Sequence, residues 1–207
     1  SKPTITVKKE KKIHLMILYA INLSLNKDLK INDFDLNKID KKFIIESEKL
    51  LPKSNYVGLS ITQGNVYRKK EWPFKNIIKI CDELIKKKVI PVFLIDKKNI
   101  EVKNKIKKLV PLALFPEDET SLESPALVTC LGKRLKFAIT IDNGIMHMLS
   151  LSKVPMISLF GPTDSEKFAP DYKESISLDS KKLYSSKNIA DISVEDVLQA
   201  AKQYLNF

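Results

Sequence analysis

The chain has 207 residues, 43% of them hydrophobic, enough for one sizeable core with an appendage. Five glycines and ten prolines exclude a low-complexity or collagen-like chain. The net charge of +11 raises nucleic acid as a partner, but Arg68 and Arg134 are the only arginines, and the lysines lie along helix faces without interleaved aromatics.

A solvated lysine surface is therefore the reading, and a basic nucleic-acid-binding domain is set aside. Weak attraction to an anionic membrane surface stays compatible with it. The longest apolar run, Ile13 to Leu25, contains His14, Tyr19, Asn22 and Ser24 and falls short of a bilayer span. No secretory signal pattern opens the chain, and its first residue is Ser1, as in a chain that begins inside a longer protein. Cys81 and Cys130 sit in apolar helical patterns and read as reduced core residues. With two histidines and no close Cys/His pairing, no metal site of the N/S type is expected.

In chain order, Lys11 to about Asn26 has helical spacing, 26–40 reads as loop, and Lys41 to Leu51 as a short helix, or a helix with a strand, closed by Pro52. Residues 1–54 thus form a connector, and 55–207 a domain. Within it a strand at Tyr56–Ile61 precedes a helix at Phe74–Lys88. Strands at Ile90–Ile95, Ala113–Phe115, Phe137–Ile141 and Val154–Phe160 alternate with helices at Asn99–Leu109, Ser121–Leu131 and Ile145–Ser152. A weak strand near Ile176 and a helix from Val194 to Tyr204 finish the chain. Alternating strands and helices with near-continuous apolar strands predict a doubly wound parallel α/β sheet. Such a sheet binds ligands at the carboxyl ends of its strands.

Three strand-to-helix loops carry candidate chemistry. After the first strand, Gly64 allows close backbone approach, Asn65 supplies an amide, Lys70 offers a point charge for a phosphate, and Trp72-Pro73 starts the next helix. After the 137–141 strand comes Asp142-Asn143-Gly144-Ile145-Met146-His147. Free N–H groups of Asn143, Gly144 and Ile145 would suit an anion there, and Asp142 could meet sugar hydroxyls or cap the helix. After the 154–160 strand, Gly161-Pro162-Thr163 makes a sharp turn. Taken singly, each is ordinary turn chemistry, a surface lysine or a structural histidine.

The combination resembles glycosyltransferase family 9, the heptosyltransferases. The resemblance rests on Gly64-x(5)-Lys70-x-Trp72-Pro73, on Thr120-Ser121-Leu122 and on the run from Asp142 to Thr163, and covers roughly Tyr56 to Pro170. It implies a Rossmann-like domain that is the C-terminal, donor-binding half of a GT-B fold, with the acceptor held by an N-terminal domain absent from this chain. It also implies inverting transfer of a sugar, heptose from ADP-heptose, to a lipid-linked lipopolysaccharide core acceptor, in the cytoplasm at the inner face of the inner membrane. By this likeness Gly64, Asn65 and Lys70 hold the diphosphate, Asp142, Asn143 and Gly144 meet diphosphate and sugar, and His147 supports that loop. No Asp-x-Asp pair stands at a strand end, which fits transfer without a metal or other cofactor.

There are departures. After the second strand the family has a glycine and then an acid reaching the ribose, whereas this chain reads Ile95-Asp96-Lys97-Lys98-Asn99-Ile100-Glu101, leaving Asp96 and Glu101 as weak ribose candidates. Asn143 replaces a common Thr or Ser, and Ser150 stands in a usually alanine-rich helix. The family's catalytic base belongs to the other domain, so this polypeptide is expected to bind donor with little or no turnover. A non-catalytic nucleotide-sugar scaffold, or a transferase using another nucleotide sugar, remains the alternative.

Overall fold

The computed structural model describes residues 12–28, 30, 34–53, 55–63 and 66–205. Helix α1 (Ile13–Leu25) and α2 (Lys41–Leu50) precede a five-stranded sheet of β1 (Tyr56–Ser60), β2 (Ile90–Phe93), β3 (Phe137–Ile141), β4 (Met156–Phe160) and β5 (Ser175–Asp179). All neighbours pair in parallel, in the order β2-β1-β3-β4-β5. The connecting helices are α3 (Phe74–Lys86), α4 (Ile100–Leu109), α5 (Pro125–Gly132), α6 (Gly144–Leu151) and α7 (Ser165–Phe168), and α8 (Ser180–Tyr184) and α9 (Val194–Leu205) close the chain.

Successive strand side chains point to opposite faces, and both faces are covered. Val57, Leu59, Phe93, Phe137, Ile139, Ile157 and Leu159 pack with Ile77, Ile80, Cys81 and Leu84 of α3, Ile106 of α4 and Val197 of α9. Tyr56, Val92, Ala138, Met156 and Phe160 pack with Leu127 and Leu131 of α5 and Met146 and Leu149 of α6. This is the doubly wound α/β arrangement expected from the continuous apolar strands. Both cysteines are free and buried, and burial pushes the Cys81 thiol up to about 12.

Two local expectations are corrected, and one left open is resolved. Ala113–Phe115 is not a strand: Leu114 makes a single parallel bridge to Val92. Pro111 and Pro116 flank the segment, and neither can donate to a ladder. The helix expected from Ser121 starts at Pro125, because the Ser124 hydroxyl accepts the Ala126 N–H and proline suits the first helical position. The 41–51 segment is helix without a strand; its C-terminal carbonyls at Leu51 and Pro52 accept from the Arg134 guanidinium.

Candidate functional site

The chain leaves β1 for β2 on one side, then returns to β3 on the other side of β1. Successive crossovers therefore diverge between β1 and β3 and leave a crevice at their carboxyl ends. Two of the three loops singled out above, the one from Ile61 to Pro73 and the Asp142-Asn143 turn, open there.

Lys70 and Asp142 are buried, at 8% and 7% exposure. Lys70 Nζ donates to Asp142 Oδ2 at 2.5 Å and to the Asp142 carbonyl at 3.1 Å. The loop reaches this position because Lys69 takes the left-handed conformation, φ 48°, after which the Lys70 N–H donates to Gln63 Oε1 at 2.8 Å. Trp72 anchors the loop's end: its ring is buried and its Nε1 donates to the Ile192 carbonyl at 2.8 Å.

The turn after β3 is capped by Asn143, not Asp142, since the Asp142 carboxylate is engaged by Lys70. Asn143 Oδ1 accepts the Met146 N–H at 3.0 Å, while Nδ2 donates to Ser60 Oγ at 2.7 Å and to the Thr62 carbonyl at 3.0 Å. One amide thus caps α6 and clips the second loop to the end of β1. The N–H groups of Gly144 and Ile145, first in α6, have no acceptor inside the helix. Gly144 is open: a Cβ there would meet only Met148 Cε, at 4.0 Å.

Gln63, Arg68, Lys70, Asp142, Gly144 and His147 surround one cleft of about 380 Å³, with Asn143 and Phe168. The buried Lys70–Asp142 pair is neutral as a unit, yet the ammonium has three protons and uses two. Arg68 is exposed and forms no ion pair among the described residues, so it gives the cleft an uncompensated positive charge. Desolvation holds the His147 imidazole below its ordinary pKa, with Lys70 adding to the effect and Asp142 opposing it. Burial thus favours the neutral imidazole, which can donate one N–H. Together the groups place open hydrogen-bond donors and positive charge around one cleft at the amino end of α6, an arrangement chemically suited to an anion.

Gly64 and Asn65 lie outside the described residues. Asp96 and Glu101 sit beyond β2 and do not line this cleft; Asp96 Oδ1 accepts the Lys98 N–H at 2.9 Å and Glu101 is exposed in the first turn of α4. The lining residues to which the sequence reading gave no role are Gln63, Arg68 and Phe168. Arg68 carried a signal, as one of two arginines in a lysine-rich chain; Gln63 and Phe168 carried none.

Near Asp96 a second carboxyl stands out. Glu117 lies in the 3-10 turn Pro116–Glu119, and its Oε2 is buried without a hydrogen-bond partner among the described residues. Desolvation first, then repulsion by Asp96, Asp118 and Glu123, pushes its pKa up to about 7. The folded state then holds this proton more tightly than the unfolded chain does. Its contribution is intact below pH 4.5 and is lost as pH rises toward and through 7. Glu117→Gln is accordingly expected to raise stability by on the order of 2 kcal/mol at pH 8 and to leave it unchanged at pH 4. Urea denaturation at the two pH values checks this; an equal effect at both would exclude a titrating origin.

The sequence profile described as glycosyltransferase family 9 (heptosyltransferase) matches residues 6–198. No curated protein matches the chain. Among solved structures, a glycosyltransferase of family 9 from Veillonella parvula superposes with a TM-score of 0.73 at 18% identity, over 98% of this chain and 62% of that one. Heptosyltransferase WaaC of Escherichia coli with ADP gives 0.69 at 12% identity, over 98% and 60%. ADP-heptose lipopolysaccharide heptosyltransferase II of E. coli gives 0.65 at 17%, over 81% and 52%. The chain therefore spans between about half and three fifths of the length of these structures, and the likeness to them is one of fold. With the profile covering nearly all of the sequence and the crevice lying between β1 and β3, the chain belongs to glycosyltransferase family 9, the heptosyltransferase family.

Proposed function

We propose that this chain binds the nucleoside-diphosphate sugar of a glycosyl transfer, with the diphosphate in the cleft between Lys70, Arg68 and the start of α6. The observation that carries the reading is the convergence of Lys70, Arg68 and Gly144 on one cleft at the divergence of β1 and β3. Cleaving the bond between sugar and diphosphate builds negative charge on the leaving phosphate. The third Lys70 proton and the Gly144 and Ile145 amides are fixed donors that meet this charge without reorganising, which favours the transition state over the bound donor, and the exposed Arg68 guanidinium adds positive charge. Asp142 keeps Lys70 in place, and these protein cations do the work a divalent ion does elsewhere.

Heptose from an adenine nucleotide is the donor we favour. In support, relatives of the same fold carry ADP and ADP-2-deoxy-2-fluoro heptose. The acceptor in this reading is a lipopolysaccharide core glycan, attacked with inversion, with its proton taken by a base outside this chain. A thermal-shift panel of ADP-, GDP-, UDP- and CMP-linked sugars tests it. ADP-linked heptose should raise Tm in proportion to the logarithm of its excess over Kd. Gly144→Ala should keep Tm without ligand, as nothing crowds a methyl there, yet weaken binding about tenfold by obstructing the phosphate. Equal binding by both chains, or no stabilisation by any nucleotide sugar, would refute the assignment.

A further inference from the structure

The loop that leaves β1 brings its third residue into the wall of the cleft. Ile61 is buried in the core, and the Thr62 carbonyl accepts from Asn143 Nδ2 at 3.0 Å. Gln63, next in the chain, is half-buried and lines the cleft, with Oε1 accepting the Lys70 N–H at 2.8 Å. That bond fixes which way the side-chain amide faces. A backbone N–H only donates, so the atom that meets it is the oxygen, and Nε2 is turned away from the Lys70 backbone. Nε2 carries two protons, and among the described residues no acceptor takes either of them.

We propose that Gln63 is a further binding residue for the donor: Nε2 donates to a non-bridging oxygen of the diphosphate, while Oε1 holds Lys70 in register. The proposal deepens the donor reading above and rests on it. Two side-chain amides border the cleft, and only one can serve a ligand in this way. Asn143 accepts the Met146 N–H through Oδ1 and uses its two Nδ2 protons on Ser60 Oγ and the Thr62 carbonyl. Its side chain places the two loops and has no proton left. Gln63 has two. The Gln63 amide comes from the β1 side of the crevice and the Gly144 and Ile145 amides from the β3 side, so a phosphate between them meets donors from both loops. Lys70 and Arg68 supply the positive charge there. An uncharged amide adds a directed bond to an anionic oxygen without adding to the repulsion between those two cations.

The test follows the side-chain amide resonances of the isotope-labelled native chain by NMR during titration with ADP and with adenosine. Gln63→Glu identifies the Gln63 pair by its loss. The Nε2 resonances of Gln63 should move with the Kd of ADP itself, exchange more slowly with water once ADP is bound, and stay in place with adenosine. Gln63→Glu keeps an oxygen for the Lys70 N–H, so its Tm should match that of the native chain while its ADP affinity falls at least about tenfold. Gln63→Met brings no charge to repel the ligand and no proton to donate. Its ADP affinity should also fall about tenfold, with a lower Tm because the Lys70 N–H loses its acceptor. Native affinity in Gln63→Met would show that Gln63→Glu acts through its charge alone and would overturn the proposal. Nε2 resonances that stay in place as ADP saturates the cleft would overturn it too, as would resonances that move only with ADP-linked heptose, which would put the amide at the sugar. In each of these cases ADP still binds and the donor reading stands, whereas a native chain that binds no ADP removes both.

Discussion

Lys70→Ala is expected to lower stability by about 3–5 kcal/mol, because it leaves the Asp142 carboxylate buried and without its cation. The pair as a whole is a weaker contributor than that loss suggests, since bringing two charges out of water offsets most of their attraction. Replacing both partners by Lys70→Met with Asp142→Asn should therefore restore stability to within about 1–2 kcal/mol of the native chain. Nucleotide affinity should not return, because the third ammonium proton is gone in both variants. Urea denaturation and calorimetric ADP titration separate the two effects. A double variant that binds ADP normally would show that Lys70 serves the fold alone. A single variant as stable as the native chain would show that the pair is not buried in solution.

Trp72→Ala should cost a further large amount, about 3–5 kcal/mol, through the lost ring contacts and the cavity left between α3 and the Ile192 segment. Trp72→Phe separates the ring from its polar end. It keeps most of the packing and removes the Nε1 bond to the Ile192 carbonyl, for an expected loss of about 1–3 kcal/mol. Because Trp72 stands two residues after Lys70, Trp72→Phe should also weaken ADP binding even where the protein remains folded. Equilibrium denaturation followed by ADP titration at a temperature where both chains are native checks this order. A Trp72→Ala chain as stable as the native one would mean that the loop is not anchored there.

The layered fold was legible because its signals are local. Strands such as Phe137–Ile141 are apolar on both faces, and Phe74–Lys86 has Ile77, Cys81 and Leu84 on one stripe. The errors arose where short-range chemistry overrode periodicity. Ala113–Phe115 looks like a strand by composition, but the prolines around it leave one bridge. Ser124-Pro125 carried a start signal for α5 that apolar spacing from Ser121 obscured. The four-residue α7 and five-residue α8 are too short to show a period and are set by the Asp164 and Asp179 caps.

The candidate site was legible as residue types and not as contacts. Asp142, Gly144 and Lys70 stand out because turns and strand ends are where ligands meet an α/β sheet. That Lys70 and Asp142 pair across 72 residues follows only once β1 and β3 are neighbours. Asn143 turning inward to Ser60 depends on the same adjacency. The walls contributed by Gln63 and Phe168 also required the three-dimensional arrangement.

The most direct measurement is an amide-resolved NMR titration of the native chain with ADP. The largest shifts are expected at Gly144, Ile145 and residues 66–72, saturating together with a single Kd, because one diphosphate touches both loops. Shifts confined to the opposite, amino-terminal end of the strands, or none at millimolar ADP, would contradict a phosphate pocket at the start of α6.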